Sequence, residues 1–126
     1  VTQPPEAQAH ALAGARAEAA LTRYWAAWDL ANFDAYVASS TPAMRESLGV
    51  TDGDSFAAAA ADYAESVADM RRAVIEIALS GDDLTEAIVL SEESARDGSE
   101  YVTEHLRHRL VLVDDTWLVD EESVID

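Results

Sequence analysis

The sequence contains no cysteine and no lysine, and it has no long apolar run. Without cysteine there are no disulfides, no thiolate metal ligands and no cysteine nucleophile, a composition compatible with either side of a membrane. Without lysine there is no phosphate loop, and the serines sit in no nucleophile-elbow setting. No apolar stretch approaches the ~20 residues that span a bilayer as a helix, which argues against membrane insertion within this chain. Positive charge is scarce: the eight basic residues, all arginine, face 25 acids, for a formal net charge of -17. Such a chain repels phosphate backbones and anionic lipid, so nucleic acid is excluded as a partner. The charge itself reads first as a solubility device.

What is present is a chain of 126 residues with 49% hydrophobic content, enough for one globular domain and too short for two. Residues 1–9 read as a tail, because Pro4 and Pro5 oppose an early helix, and residues 10–126 as the domain. The polar "VTQPPEAQ" lead suggests a segment that follows a removed signal or anchor, hence an extracytoplasmic location.

From about Glu6 or His10 to Ala31 an alanine-rich run favours helix, with Ala17, Leu21, Tyr24, Trp28 and Ala31 stepping by four and three along one face. "NFDAYVAS" predicts a short second helix capped by Asn32. "STPAMRESLG" predicts a third: Thr41 caps it, Pro42 sits where a missing N–H is harmless, and Gly49 stops it. A fourth runs from Asp54 or Ser55 to about Met70, with Phe56, Ala60, Tyr63, Val67 and Met70 on its buried face.

After Arg71 the hydrophobic period changes to two. Ile75, Ile77 and Leu79 share one face of a first strand, and Leu84, Glu86, Ile88 and Leu90 one face of a second. Turn signals at "GDD", "RDGS" and "DDT" separate four strands of an antiparallel meander. Helices first and strands after predict an α+β fold with the helices on one face of a four-stranded antiparallel sheet.

Two stretches give this order a likeness. "ALTRYWAAWDLANFDAYVASSTPAMRESL" and "VDDTWLVDEESVI" resemble the opening helices and closing strand of the NTF2-like (cystatin-like) superfamily. The resemblance implies a curved sheet closing a cone with the helices. The superfamily's ketosteroid isomerase and polyketide-cyclase (SnoaL-like) branch carries a tyrosine on the first helix, a position that Tyr24 matches. That branch also carries an acid after the second helix, where this chain has the capped "SSTPAMRESLG" instead. The actinobacterial extracytoplasmic domains, Mce-associated proteins among them, carry a small-Thr-Pro-x-x-x-x-x-Leu helix. Thr41, Pro42 and Leu48 match it. That nearer branch implies a non-catalytic accessory or binding domain whose cone takes a small apolar ligand or a protein partner, with no cofactor. The alternative is a small cofactor-independent enzyme of the isomerase or cyclase type.

Within such a cone, the strand "EYVTEHLRHRLVLV" puts Val102, Glu104, Leu106, His108, Leu110 and Leu112 on one face. Glu104 and His108 then point inward, roughly 13 Å apart at about 3.3 Å per residue, too far to pair. Each needs a partner from elsewhere, and Tyr24, Trp28 and Tyr63 are at hand on the helix stripes. The expected pocket is therefore Tyr24, Trp28, Tyr63, Glu104, Leu106 and His108. His108, Glu104 and Tyr24 are its catalytic candidates, with neutral His108 as a general base. Against that stands the common case of a lone strand histidine that fills space, and apolar residues 110–113 leave the register there open.

Metal binding is not expected. His105 and His108 fall on opposite faces of a strand, and the twelfth position from Asp52 is Tyr63, where a calcium loop needs an acid. Trp25 lies off the stripe and reads as the rim of the core. The outward His105, Arg107 and Arg109 could meet Asp120 or Glu122 of a second copy in a homodimer through the sheet, or form ordinary ion pairs each worth well under ~1 kcal/mol.

Overall fold

The computed structural model describes residues 5–66, 68–80 and 83–125. Four helices come first: α1 (Pro5–Asp29), α2 (Phe33–Ser39), α3 (Pro42–Leu48) and α4 (Gly53–Ser66). Four strands follow: β1 (Ala68–Ser80), β2 (Glu86–Asp97), β3 (Glu100–Val113) and β4 (Thr116–Val124). They pair in the order β1-β2-β3-β4, all antiparallel. The expected α+β architecture is the one observed.

The helix ends follow the local chemistry. The Asn32 side chain accepts from the Ala35 N–H at 3.1 Å and Thr41 from the Met44 N–H at 3.1 Å. Gly49 closes α3 in the left-handed region at φ 70°, where only glycine is unstrained. Three boundaries differ from expectation. Helix α1 begins at Pro5, inside the segment read as a tail, since proline suits a first helical position. It also stops at Asp29, leaving Ala31 exposed in a turn at φ 52°. Helix α4 ends at Ser66, short of the expected Met70, which belongs to β1. Val67 and residues 81 and 82 of the "GDD" turn lie outside the described residues.

Two β-bulges decide which side chains face the helices. In β1, Val74 pairs with Ser91 and Glu76 with Leu90, so Ile75 is the extra residue. Val74, Ile77 and Leu79 therefore pack on the core while Ile75 is 57% exposed, not grouped with Ile77 and Leu79 as strict alternation implies. In β4, Leu110 pairs with Val119 and Arg109 with Glu121, which leaves Asp120 as the extra residue. In β2 the inward residues are Ala87, Val89 and Ser91, so Ile88 and Leu90 look out. The core joins Ala17, Leu21 and Tyr24 of α1 to Tyr36, Met44, Phe56, Val89, Leu110 and Val119. Each large apolar side chain there contributes roughly 1.5–3 kcal/mol by leaving water. Tyr36 stacks on Phe56 at 4.7 Å and donates its hydroxyl hydrogen to the Val50 carbonyl at 3.0 Å, so its one polar group is satisfied.

Candidate functional site

At the end of the sheet away from the β3–β4 turn, the helices and strands diverge around a cavity of about 240 Å³. Helix α1 supplies Tyr24, Trp25 and Trp28, one on each successive part of its inward turn; α4 supplies Tyr63 and α3 the rim residue Leu48. The strands supply Arg72, Glu93 and Glu122. The wall is thus aromatic, with three charged groups set into it.

Arg72 ties this wall together. Its guanidinium donates to Asp29 at 2.9 and 3.3 Å, to Glu93 at 3.3 Å and to the Tyr63 hydroxyl, and lies over the Trp25 ring at 5.2 Å. Arg72 and Glu93 are direct cross-strand partners, which is why they meet. Burial alone would lower the Arg72 pKa, but the Asp29 hydrogen bond with the neighbouring Tyr63 and carboxylates raises it overall. Burial likewise holds the Glu93 carboxyl above its usual range: Arg72 opposes the shift, and the nearby Glu122 carboxylate adds to it. Tyr63 is pushed up to about 12, chiefly by burial. The Tyr24 phenol is raised further, by burial first and by Glu122 second, while a hydrogen bond to the Trp28 side chain works against it.

His108 sits beneath this wall, fully buried, with Nε2 2.9 Å from Glu122 Oε1. The Trp25 ring meets it edge-on at 5.9 Å. Three buried polar atoms here lack a protein partner: His108 Nδ1, Trp25 Nε1 and Ser91 Oγ. They form one neighbourhood, since Trp25 touches His108 and Ser91 lies on the adjoining strand two pairs along, on the same face.

Of the residues anticipated from sequence, Tyr24, Trp28 and Tyr63 come together around the cavity. Leu106 and His108 face the core on the same side but lie outside the lining, and His108 reaches the cavity only through Glu122. Glu104 does not join them. Strand β3 outruns the helices, and its residues 100–104 are exposed. The carboxylates at the cavity are instead Glu122 and Glu93, the latter paired with Glu104 across β2 and β3. Trp25, expected at a rim, is only 8% exposed and is packed between Arg72 and His108. Arg109 finds its acids within the chain, donating to Glu86 at 2.9 Å and to Asp120, while Glu122 turns inward to His108. That is the intrachain ion-pair reading of Arg109. No helix of the described residues is long and apolar enough to cross a membrane.

No protein-family model matches the sequence, and no curated protein is significantly similar to it. Solved structures do match in shape. A SEC-C motif containing protein from Rhodopseudomonas palustris superposes with a TM-score of 0.64 at 23% identity, over 86% of this chain and 78% of that one. An NTF-2 like protein of unknown function from Shewanella oneidensis MR-1 gives 0.58 at 18% identity, over 85% and 93% of the two chains. A ketosteroid isomerase-like protein from Erwinia carotovora atroseptica gives 0.54 at 19% identity, over 90% and 96%. The chain has the NTF2-like α+β fold. At these identities the likeness is one of fold and carries no activity across.

Proposed function

We propose that the protein is a non-catalytic binding domain whose cone cavity takes a small, largely apolar molecule. The observation that carries this is the aromatic wall of Tyr24, Trp28 and Tyr63 around a cavity of about 240 Å³, smaller than the sites that enclose drug-sized ligands. The groups that would serve a reaction are tied to one another. His108 is fully buried against Glu122, and Glu93 is engaged by Arg72. An NMR screen of small aromatic molecules tests the reading. Bound molecules should shift the indole signals of Trp25 and Trp28 and leave that of Trp117, which lines a different groove, unchanged. Shifts at Trp117 alone would sink it.

A second reading, a small enzyme of the isomerase or cyclase type, is favoured by one feature: the raised pKa of Glu93 beside the Tyr24 phenol, a base and a hydrogen-bond donor at one cavity. Carbon-bound hydrogen of a bound ketone exchanging for deuterium, and ceasing to do so in Glu93→Gln, would establish it.

The setting is proposed to be extracytoplasmic, supported by the Thr41–Pro42 start and Leu48 end of α3, which resemble the helix of the actinobacterial extracytoplasmic domains. A reporter fused to the natural gene product and assayed on both sides of the membrane decides that. A homodimer through the outer sheet face is proposed on the apolar Ile75, Ile88 and Leu90 there, of which Ile75 is 57% exposed. Sedimentation of Ile88→Asp against the wild type tests it; an unchanged monomer in both would refute it.

A further inference from the structure

We propose that the molecule held in the cone cavity is a small organic amine, bound as its ammonium between Glu93 and Glu122 with its apolar part against the aromatic wall. This rests on the binding-domain reading and specifies the ligand.

Charge comes first. Of the residues lining the cavity, Glu93 and Glu122 are carboxylates and Arg72 is the cation. Arg72 is poorly placed to serve an anion: Asp29, Glu93 and Tyr63 already take four of its five N–H groups and Trp25 covers one face. An incoming carboxylate or phosphate would meet two acids and an arginine already neutralised. A cation meets the reverse. Glu93 has an 18% exposed side chain and Glu122 31%, so both are partly stripped of water yet open to the cavity. Each carboxylate has one further oxygen beyond the one that bonds Arg72 or His108. Burial also raises the Glu93 pKa, a cost that a neighbouring ammonium would relieve.

Shape and distribution agree. Trp28, Tyr24 and Tyr63 present ring faces and edges to the same space, and aromatic faces attract ammonium groups and the carbons attached to them. The cavity is too small for an extended polyamine but suits one ring or a short chain with its nitrogen. Trp25, which lines the cavity, and His108 behind Glu122 each keep a buried ring nitrogen without a protein partner, which marks this as the polar end of the core. The net charge of -17 concentrates cations near the whole surface and speeds their encounter.

The test uses three probes of one shape: benzylammonium, neutral benzyl alcohol and benzoate. Each is titrated into the whole protein while the Trp25, Trp28 and Trp117 indole signals are followed by NMR. Benzylammonium should bind on the order of tenfold tighter than benzyl alcohol, and benzoate weakest. Glu93→Gln/Glu122→Gln should bring benzylammonium down to the level of benzyl alcohol, whose own binding stays as before and shows that the cavity is intact. Should the double variant unfold, Glu93→Gln alone carries the comparison. Glu46→Gln/Glu65→Gln, two exposed acids, should change nothing. If benzyl alcohol or benzoate binds as well as benzylammonium, or if the exposed pair weakens the ammonium as much as the cavity pair, the amine proposal is overturned and the cavity reading survives. If no probe moves Trp25 or Trp28 at millimolar concentration, both fall.

Discussion

His108 meets Glu122 at 2.9 Å only because β4 carries one residue more than β3 opposite it. From the Asp114–Asp115 turn, regular pairing would set His108 against Glu121. The extra residue, Asp120, slides the strand by one, so that Glu122 faces inward and Glu121 outward. The bulge serves the outer face as well, since Asp120 accepts from Thr41 and Arg109. Removing the Glu122 carboxylate leaves both nitrogens of a fully buried imidazole without partners, as Nδ1 already has none. Glu122→Ala should therefore cost about 1–3 kcal/mol of stability, read from urea unfolding. A loss near zero would mean that water satisfies His108 as well as the carboxylate does.

Arg72 offers a second, sharper test. Its planar fork meets Asp29 through two nitrogens while Nε holds Glu93, a pattern that an ammonium cannot reproduce. The side chain is only 13% exposed. Arg72→Lys should lower stability by roughly 1–3 kcal/mol despite keeping the charge. It should also alter the fluorescence of Trp25, whose ring loses the guanidinium at 5.2 Å. Unchanged emission would place that contact outside the folded state in solution.

Much of this fold was legible because several signals agreed: the Thr41 cap with Pro42 and Gly49, the change of period after Arg71, and the turn at Gly98. Half the site was legible too, since Tyr24, Trp28 and Tyr63 sit on helical stripes. Its charged half was hidden for two reasons. Glu93 lies opposite Glu104, and counting back from the Gly98–Ser99 turn would have paired them, but alternation within one strand says nothing about which of two facing acids the helices cover. Glu122 was beyond reach of any count, because the bulge at Asp120 breaks the period of β4. Arg72 opens the first strand in the sequence, where strict alternation sets it on the face opposite Ile77 and Leu79, and only the extra residue at Ile75 brings it onto the inner face with them.

The third helix can be tested through its cap. Thr41 accepts from the Met44 N–H at 3.1 Å, donates its hydroxyl hydrogen to Asp120 at 2.7 Å, and pairs its backbone with Val119. It is where α3 joins β4. Thr41→Ala should cost about 1–2 kcal/mol, whereas Thr41→Ser, which keeps the hydroxyl, should retain most of that. Equal losses in the two variants would assign the effect to the methyl group's packing and not to the cap.

Glu93 makes a prediction about pH whose sign is fixed by its environment. Burial raises its folded-state pKa above the unfolded value, with Arg72 opposing and Glu122 adding. The folded state therefore holds the proton more tightly, and the resulting stability is fully present below the unfolded pKa of about 4.3 and lost as pH rises through the folded one. Glu93→Gln cannot titrate and lacks this slope. The stability of the wild type relative to Glu93→Gln should therefore fall as pH rises from about 4 to about 7, while the other acids cancel in the comparison. Urea unfolding of both proteins across that range measures it. A difference that grows with pH would mean that the ion pair to Arg72 outweighs burial, and that the carboxylate is comfortable in the cavity without any cationic ligand.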